Sequence, residues 1–213
     1  KEKLLLIRIK KDLLNLINYL KKQQLITGYN DSLYEKKIEV ENMNEHLMVL
    51  SNTDKLTNIP NRRYFHHRLD EIIFEYEKTQ KPFSLMMMDI DHFKRVNDRY
   101  GHQIGDQVLI QVAAILSENL PENAVVARYG GEEFVVLLPG MSENDAMATA
   151  EILKDSIEYA HWDSVNRMTI SAGIATFTED DDSYSIITKA DQALYLSKER
   201  GRNCATHFNM VSS

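Results

Sequence analysis

Two pairs of carboxylates mark where this sequence could do chemistry. The first closes an apolar run, Met86-Met87-Met88-Asp89-Ile90-Asp91. Asp89 continues a stretch that reads as buried, so its charge needs a partner. The second pair, Glu132-Glu133, directly follows Gly130-Gly131, and glycine lets backbone approach a ligand closely and adopt unusual dihedrals. If the end of the first run neighbours the second, three or four carboxylates converge. Such a group repels itself unless a hard cation sits within it, and oxygen donors with open positions suit Mg²⁺ carrying a nucleoside triphosphate. The same residues also fit a quieter arrangement, with Asp89 and Asp91 capping the following helix and both glutamates solvated. Residue chemistry alone leaves the two open.

The elements that must position these acids follow from hydrophobic patterning. Helices are predicted over Asn61 to Lys78, His92 to Tyr100, Ile104 to Leu120, Ser142 to Tyr159 and Ser183 to Arg200, with Gly101 separating the second from the third. Strands are predicted over Phe83 to Asp89, Ala124 to Tyr129, Glu133 to Leu138, Met168 to Phe177 and, briefly, Ala205 to Phe208. Gly130-Gly131 joins the second and third strands as a hairpin. Strands and helices mixed around one sheet make an α/β (α+β) domain.

Residues 1–52 differ from the rest and are expected to be a helical linker that precedes a domain over 53–213. Leu6, Ile9, Leu13, Leu16 and Leu20 give a helix one apolar face. Thr27-Gly28-Tyr29-Asn30 reads as a break, followed by a capping box of Ser32 and Glu35. Leu33, Val40 and Leu47 then recur every seven residues. The heptad seam can be completed by Lys36, Met43 and Leu50 or by Lys37, Asn44 and Ser51. One side of an intramolecular packing would look similar, but the narrow seam flanked by charge favours a parallel coiled-coil dimer.

Bulk properties exclude several classes. The net charge of -7 argues against a protein that coats nucleic acid, which needs a cationic surface. Cys204 is the only cysteine, so there is no intramolecular disulfide, as suits a reducing, cytoplasmic compartment. The apolar start, Leu4 to Ile9, is interrupted by Arg8, Lys10, Lys11 and Asp12 well short of the roughly 20 residues that span a bilayer. The chain begins without methionine, inside an expected helix. It reads as a piece of a longer protein with a sensory module upstream. His46, His66, His67 and His161 show no ligand spacing.

Gly130-Gly131-Glu132-Glu133-Phe134, preceded by Arg128-Tyr129, resembles the signature of the GGDEF family of diguanylate cyclases in its glutamate-containing (GGEEF) form. Other stretches match in order and spacing. Asp54-Lys55-Leu56-Thr57-Asn58-Ile59-Pro60-Asn61-Arg62-Arg63 resembles the family's opening motif, with Asn58 in place of the usual glycine, a change expected to alter a turn and not the chemistry. Asp89-Ile90-Asp91-His92-Phe93-Lys94, Asn97-Asp98, Tyr100-Gly101-His102 and Gly105-Asp106 are similar to its metal- and base-binding stretch. Lys198-Glu199-Arg200-Gly201-Arg202-Asn203 is similar to its closing motif.

The resemblance, covering about residues 54 to 208, implies a five-stranded sheet flanked by helices, similar to the palm of nucleotide polymerases and to nucleotidyl cyclases. It implies condensation of two GTP into cyclic di-GMP by a homodimer. Carried over by position, it implies that Asp89, Glu132 and the carbonyl of Ile90 hold metal, that Glu133 contributes to a second metal, and that Glu132 is the base. Two Mg²⁺ per site are implied, with Mn²⁺ able to substitute. Asn97 and Asp106 would read guanine, with His102 near the ligand, while Phe93, Lys94, Lys198 and Arg202 would hold the triphosphate. Many relatives carry an Arg-x-x-Asp product-inhibition site where this chain has Pro121-Glu122-Asn123-Ala124, so no such site is expected. Three rivals are a degenerate binding module, a cyclase that accepts ATP, and a device mainly for dimerisation and signal transmission, a role the heptad seam supports alongside catalysis and not instead of it. Retention of Asp89, Gly130, Gly131 and Glu132 speaks against the first, and Asp106 against the second.

Overall fold

The computed structural model describes Lys11, residues 13–23, 33–34 and 36–40, Met43 and residues 52–211. The chain divides into two compact units, 1–50 and 51–213. In the first, the described residues are helical, and Leu13, Leu16, Leu20, Leu33, Val40 and Met43 are exposed. Leu6, Ile9, the expected break at Thr27 to Asn30, the caps Ser32 and Glu35, and the heptad residues Asn44, Leu47, Leu50 and Ser51 lie outside the described residues. Among the described residues no helix is long and apolar enough to cross a membrane.

The second unit runs α1 (Arg62–Thr79), β1 (Phe83–Ile90), α2 (Phe93–Tyr100), α3 (His102–Glu118), β2 (Val125–Gly130), β3 (Glu133–Pro139), α4 (Glu143–Glu158), β4 (Ile170–Thr176), α5 (Ser183–Glu199) and β5 (Ala205–His207), then a 3₁₀ turn at Phe208–Met210. The sheet order is β2-β3-β1-β4-β5. Pairing is antiparallel except for β4 with β5, which is parallel. This mixed five-stranded sheet flanked by helices is the expected fold class.

Boundaries moved where caps decide them. Asn61 lies before α1, and its side chain accepts hydrogen bonds from the N–H groups of Arg63 and Tyr64. His92 sits outside α2 in the left-handed region, φ 58°. Gly101 alone separates α2 from α3, so α3 starts at His102 and not at Ile104. Asn58 adopts φ 59°. Asparagine tolerates that conformation better than most non-glycine residues, so it can occupy a glycine's turn.

β1 is the centre of the sheet, and its side chains alternate between two cores. Met86, Met88 and Ile90 join the face covered by α3 and α4, whereas Phe83, Leu85 and Met87 join the face covered by α1 and α5. Each fully buried side chain of this size contributes about 1.5–3 kcal/mol, against roughly 0–1 kcal/mol for a surface ion pair. The core, not any contact at the strand end, therefore sets where Asp89 stands.

Candidate active site

The end of β1 and the β2–β3 hairpin are neighbours. Asp89 pairs with Glu133 on one side and with Ser171 on the other, and the Ile90 N–H donates to the Glu132 carbonyl at 3.3 Å. Asp89 lies 2.9 Å from the Lys198 ammonium, its side chain 14 % exposed. Burial raises the Asp89 carboxyl above its ordinary value, Lys198 opposes this, and Asp91 adds to it. Burial likewise raises Glu133, reinforced by the charges of Asp89, Asp191 and Glu132. The strand end thus carries partly buried carboxylates with Lys198 in contact, and its donors are hard oxygens.

Asp91 does not join this group. It is 4 % exposed and accepts from the hydroxyls of Thr169 and Ser171, each at 2.7 Å, and from the Asn203 backbone N–H at 3.0 Å. Among the described residues no three His, Cys, Asp or Glu side chains are gathered closely enough to hold an ion alone. The expected convergence of up to four carboxylates is corrected accordingly: Asp89, Glu132 and Glu133 share the edge, and Asp91 faces other partners. Nor does Asp89 or Asp91 cap α2, whose N-terminus makes no side-chain cap hydrogen bond.

Lys198 reaches Asp89 because α5 lies unusually low on the sheet. A Cβ added to Gly173 would stand 2.0 Å from the Leu194 nitrogen and 2.2 Å from the Ala190 carbonyl oxygen. Backbone rests on backbone there. One turn on, the Ser197 hydroxyl bonds Ala172 O and Thr206 Oγ1, each at 2.7 Å. Neither Gly173 nor Ser197 was singled out by sequence, since an isolated glycine in a strand signals close approach without saying to what.

The expected base-binding residues sit on two consecutive helices. Asn97, on α2, lays its amide across α3: a Cβ on Gly105 would stand 2.0 Å from Asn97 Oδ1. Asp106 and His102 are exposed on α3, and Lys94 is exposed on α2. Phe93 is 6 % exposed, its ring in the core and close to Gly105, so only its main chain faces outward chemistry. Arg202, exposed beyond α5, has a charge that reaches Asp89. At the expected empty inhibition position, the Asn123 amide donates to the Pro139 carbonyl at 3.1 Å. Pro121, Glu122 and Ala124 line a groove of about 250 Å³ with Pro60 and Tyr64.

One residue carries a role that spacing did not reveal. Arg128 donates to the Gly131 carbonyl at the hairpin tip, at 2.8 and 3.0 Å, and to Asp54 at 3.1 Å. Asp54 in turn accepts from the Thr57 hydroxyl and N–H. The opening motif and the hairpin are therefore tied by one guanidinium. An arginine two residues before a glycine pair was the available signal, but its partner lies 74 positions away.

Residues 51–204 match the family model described as "Diguanylate cyclase, GGDEF domain". The chain is 38 % identical over 189 residues to Diguanylate cyclase A of Treponema denticola, covering 81 % of this chain and 51 % of that protein. It is 38 % identical over 165 residues to Response regulator PleD of Caulobacter vibrioides, covering 75 % and 36 %. It thus spans about half or less of the length of these curated relatives. Among solved structures, the coiled coil and GGDEF domain of DgcB from Caulobacter crescentus, in complex with c-di-GMP, superimposes with a TM-score of 0.74 at 33 % identity, over 84 % of this chain and 98 % of that one.

Proposed function

Since the chain belongs to the GGDEF family of diguanylate cyclases, we propose that it joins two GTP into cyclic di-GMP, releasing two pyrophosphates, as a homodimer. The observation that carries this reading is the pairing of Asp89 with Glu133 beside the Glu132 carbonyl, with Lys198 in contact. An anionic edge and adjacent cations suit a magnesium triphosphate better than either an apolar or a purely cationic ligand.

In this reading Asp89, Glu132 and the Ile90 carbonyl hold one Mg²⁺, and Glu133 contributes to a second, with Mn²⁺ able to substitute. The donor set fits: hard oxygens, excess negative charge, and too few protein ligands to close the shell. When bound, the ions supply charge neutralisation at the α-phosphate and at the departing pyrophosphate. Glu132 accepts the proton of the 3′-hydroxyl as that oxygen bonds the α-phosphorus of the other GTP and the bond to pyrophosphate breaks. Lys198 and Arg202, with Lys94 and the main chain at Phe93, hold the triphosphate. Asp106 accepts from the N1 and N2 hydrogens of guanine, Asn97 meets its acceptors, and His102 lies alongside.

Each domain holds one GTP, and the product needs two brought face to face, where small misplacements are costly. The exposed apolar residues Leu13, Leu16, Leu20, Leu33 and Val40 support dimerisation through the helices over 1–52, ahead of a cyclase domain over 53–213. Control by a sensory module upstream belongs to the same reading. GTP as substrate fits a cytoplasmic site. Incubation with Mg²⁺ and GTP, ATP or both, with products identified by mass, tests the reading. Cyclic di-GMP from GTP is expected, and hydrolysis alone would overturn it. Asp106→Ser is expected to let ATP compete.

A further inference from the structure

We infer that Asp91 is a positioning residue for the triphosphate: it holds the turn that aims Arg202, and it is not an additional acid at the metal. The inference rests on the cyclase reading above.

The turn after α5 is an uncomfortable one. Gly201, Arg202 and Asn203 have φ of 109°, 67° and 49° in succession. Asn203 tolerates the left-handed region better than most residues, but for Arg202 that conformation costs energy and persists only where its surroundings impose it. What imposes it is visible. The Asn203 N–H donates to Asp91 Oδ2 at 3.0 Å, and its side-chain amide donates to Glu158 Oε2 at 2.8 Å. Glu158 is itself paired with Arg167. The Arg202 N–H donates to the Ser197 carbonyl at 3.1 Å, tying the turn back to the residue that bonds the sheet. Asn203 is therefore gripped by backbone and side chain, while the preceding Arg202 side chain is left exposed.

Asp91 is equipped for this work and not for a metal. Thr169 and Ser171 hydroxyls take one bond on each of its oxygens at 2.7 Å, and its own N–H donates to the Thr169 carbonyl at 2.9 Å. Donors surround the carboxylate on β4, the segment before it and the closing turn. A buried carboxylate that accepts from three donors, at least one on each oxygen, is satisfied without a cation. One acid two residues from Asp89 thus links the start of the site to its far end.

The test uses the purified chain with Mg²⁺ and GTP. Asp91→Asn is expected to raise the GTP KM about tenfold, the loss of one charge-assisted hydrogen bond, with kcat changed much less and the Mg²⁺ half-saturation unchanged. Arg202→Ala should give a similar rise, and the double variant should be no worse than Arg202→Ala alone, because the contribution of Arg202 is already lost. Asn203→Ala, which puts a less tolerant residue at the left-handed position and leaves Asp91 intact, should reproduce the KM rise. It carries the test alone if Asp91→Asn does not fold. Additive effects, a raised Mg²⁺ requirement, or a lowered melting temperature with KM unchanged in these variants would overturn the inference. If the wild-type chain neither binds nor converts GTP, the cyclase reading fails instead.

Discussion

Lys198 and Asp89 meet at 2.9 Å across the end of the sheet, one from the last turn of α5 and the other from the penultimate residue of β1. The ammonium is partly exposed and the carboxylate mostly covered. In the proposed reading a triphosphate arrives at this pair, and Lys198 exchanges Asp89 for its oxygens. Lys198→Met is expected to raise the GTP KM about tenfold and to change stability by no more than about 1 kcal/mol, since a partly exposed pair contributes little to folding. Steady-state kinetics and thermal melts separate the two effects. A large loss of stability with KM unchanged would make the pair structural.

Gly105→Ala isolates the helices proposed to read the base. The added methyl would stand 2.0 Å from Asn97 Oδ1, so the amide must swing away. Alanine is the better helix former by about 1 kcal/mol, which offsets most of the cost of moving a side chain. The expected result is a protein of nearly unchanged stability whose GTP affinity falls about tenfold, as expected for a lost hydrogen bond in a polar site. Calorimetric titration with a non-hydrolysable GTP analogue measures it.

Asp54 offers a test of the tie to the hairpin. Burial pushes its carboxyl up, but hydrogen bonds from Thr57 and Arg128 outweigh this and leave it below the ordinary 3.8. A depressed folded value means stability that is present above the unfolded value and lost as pH falls through the folded one. Asp54→Asn is therefore expected to cost about 1 kcal/mol at neutral pH, with the difference from wild type shrinking in acid. Urea unfolding at neutral pH and near pH 3 checks both halves.

His207 gives a second pH dependence in a higher window. It is 2 % exposed. The Asn209 N–H donates to its Nδ1 at 3.2 Å, so the neutral ring carries its proton on Nε2, which faces Thr176 Oγ1 at 3.1 Å. Burial lowers this histidine below the ordinary 6.5, against the pull of Glu143. The unfolded chain then takes up the proton first. The contribution is fully present above about pH 6.5 and is lost as pH falls through the lowered folded value. Melting temperatures measured at pH 7.5 and 5.5 should drop more in the wild type than in His207→Gln, and equal drops would remove His207 from the account.

Much of the fold was readable from pattern. The apolar run into Asp89 and the glycine pair at 130–131 are local signals, and each element from α1 to β5 formed within a few residues of its expectation. What escaped depends on register between distant segments. Arg128 finds Asp54 across 74 positions and Asp91 finds Asn203 across 112. Its place at the end of the apolar run left Asp91 free to join the other acids, but it lies just past β1, where donors on Thr169, Ser171 and the Asn203 backbone hold it in another environment. Gly105 and Gly173 matter through what lies above them, which no local spacing encodes.

The most direct measurement of the account is the turnover of Glu132→Gln. The substitution nearly keeps the side chain's size but removes the proposed base and one proposed metal-binding charge. With Mg²⁺ and GTP it is expected to form cyclic di-GMP at least about a hundredfold more slowly, the range for loss of a general base, while still melting like the wild type. Cyclic di-GMP formation at the wild-type rate by this variant would contradict the assignment of the site.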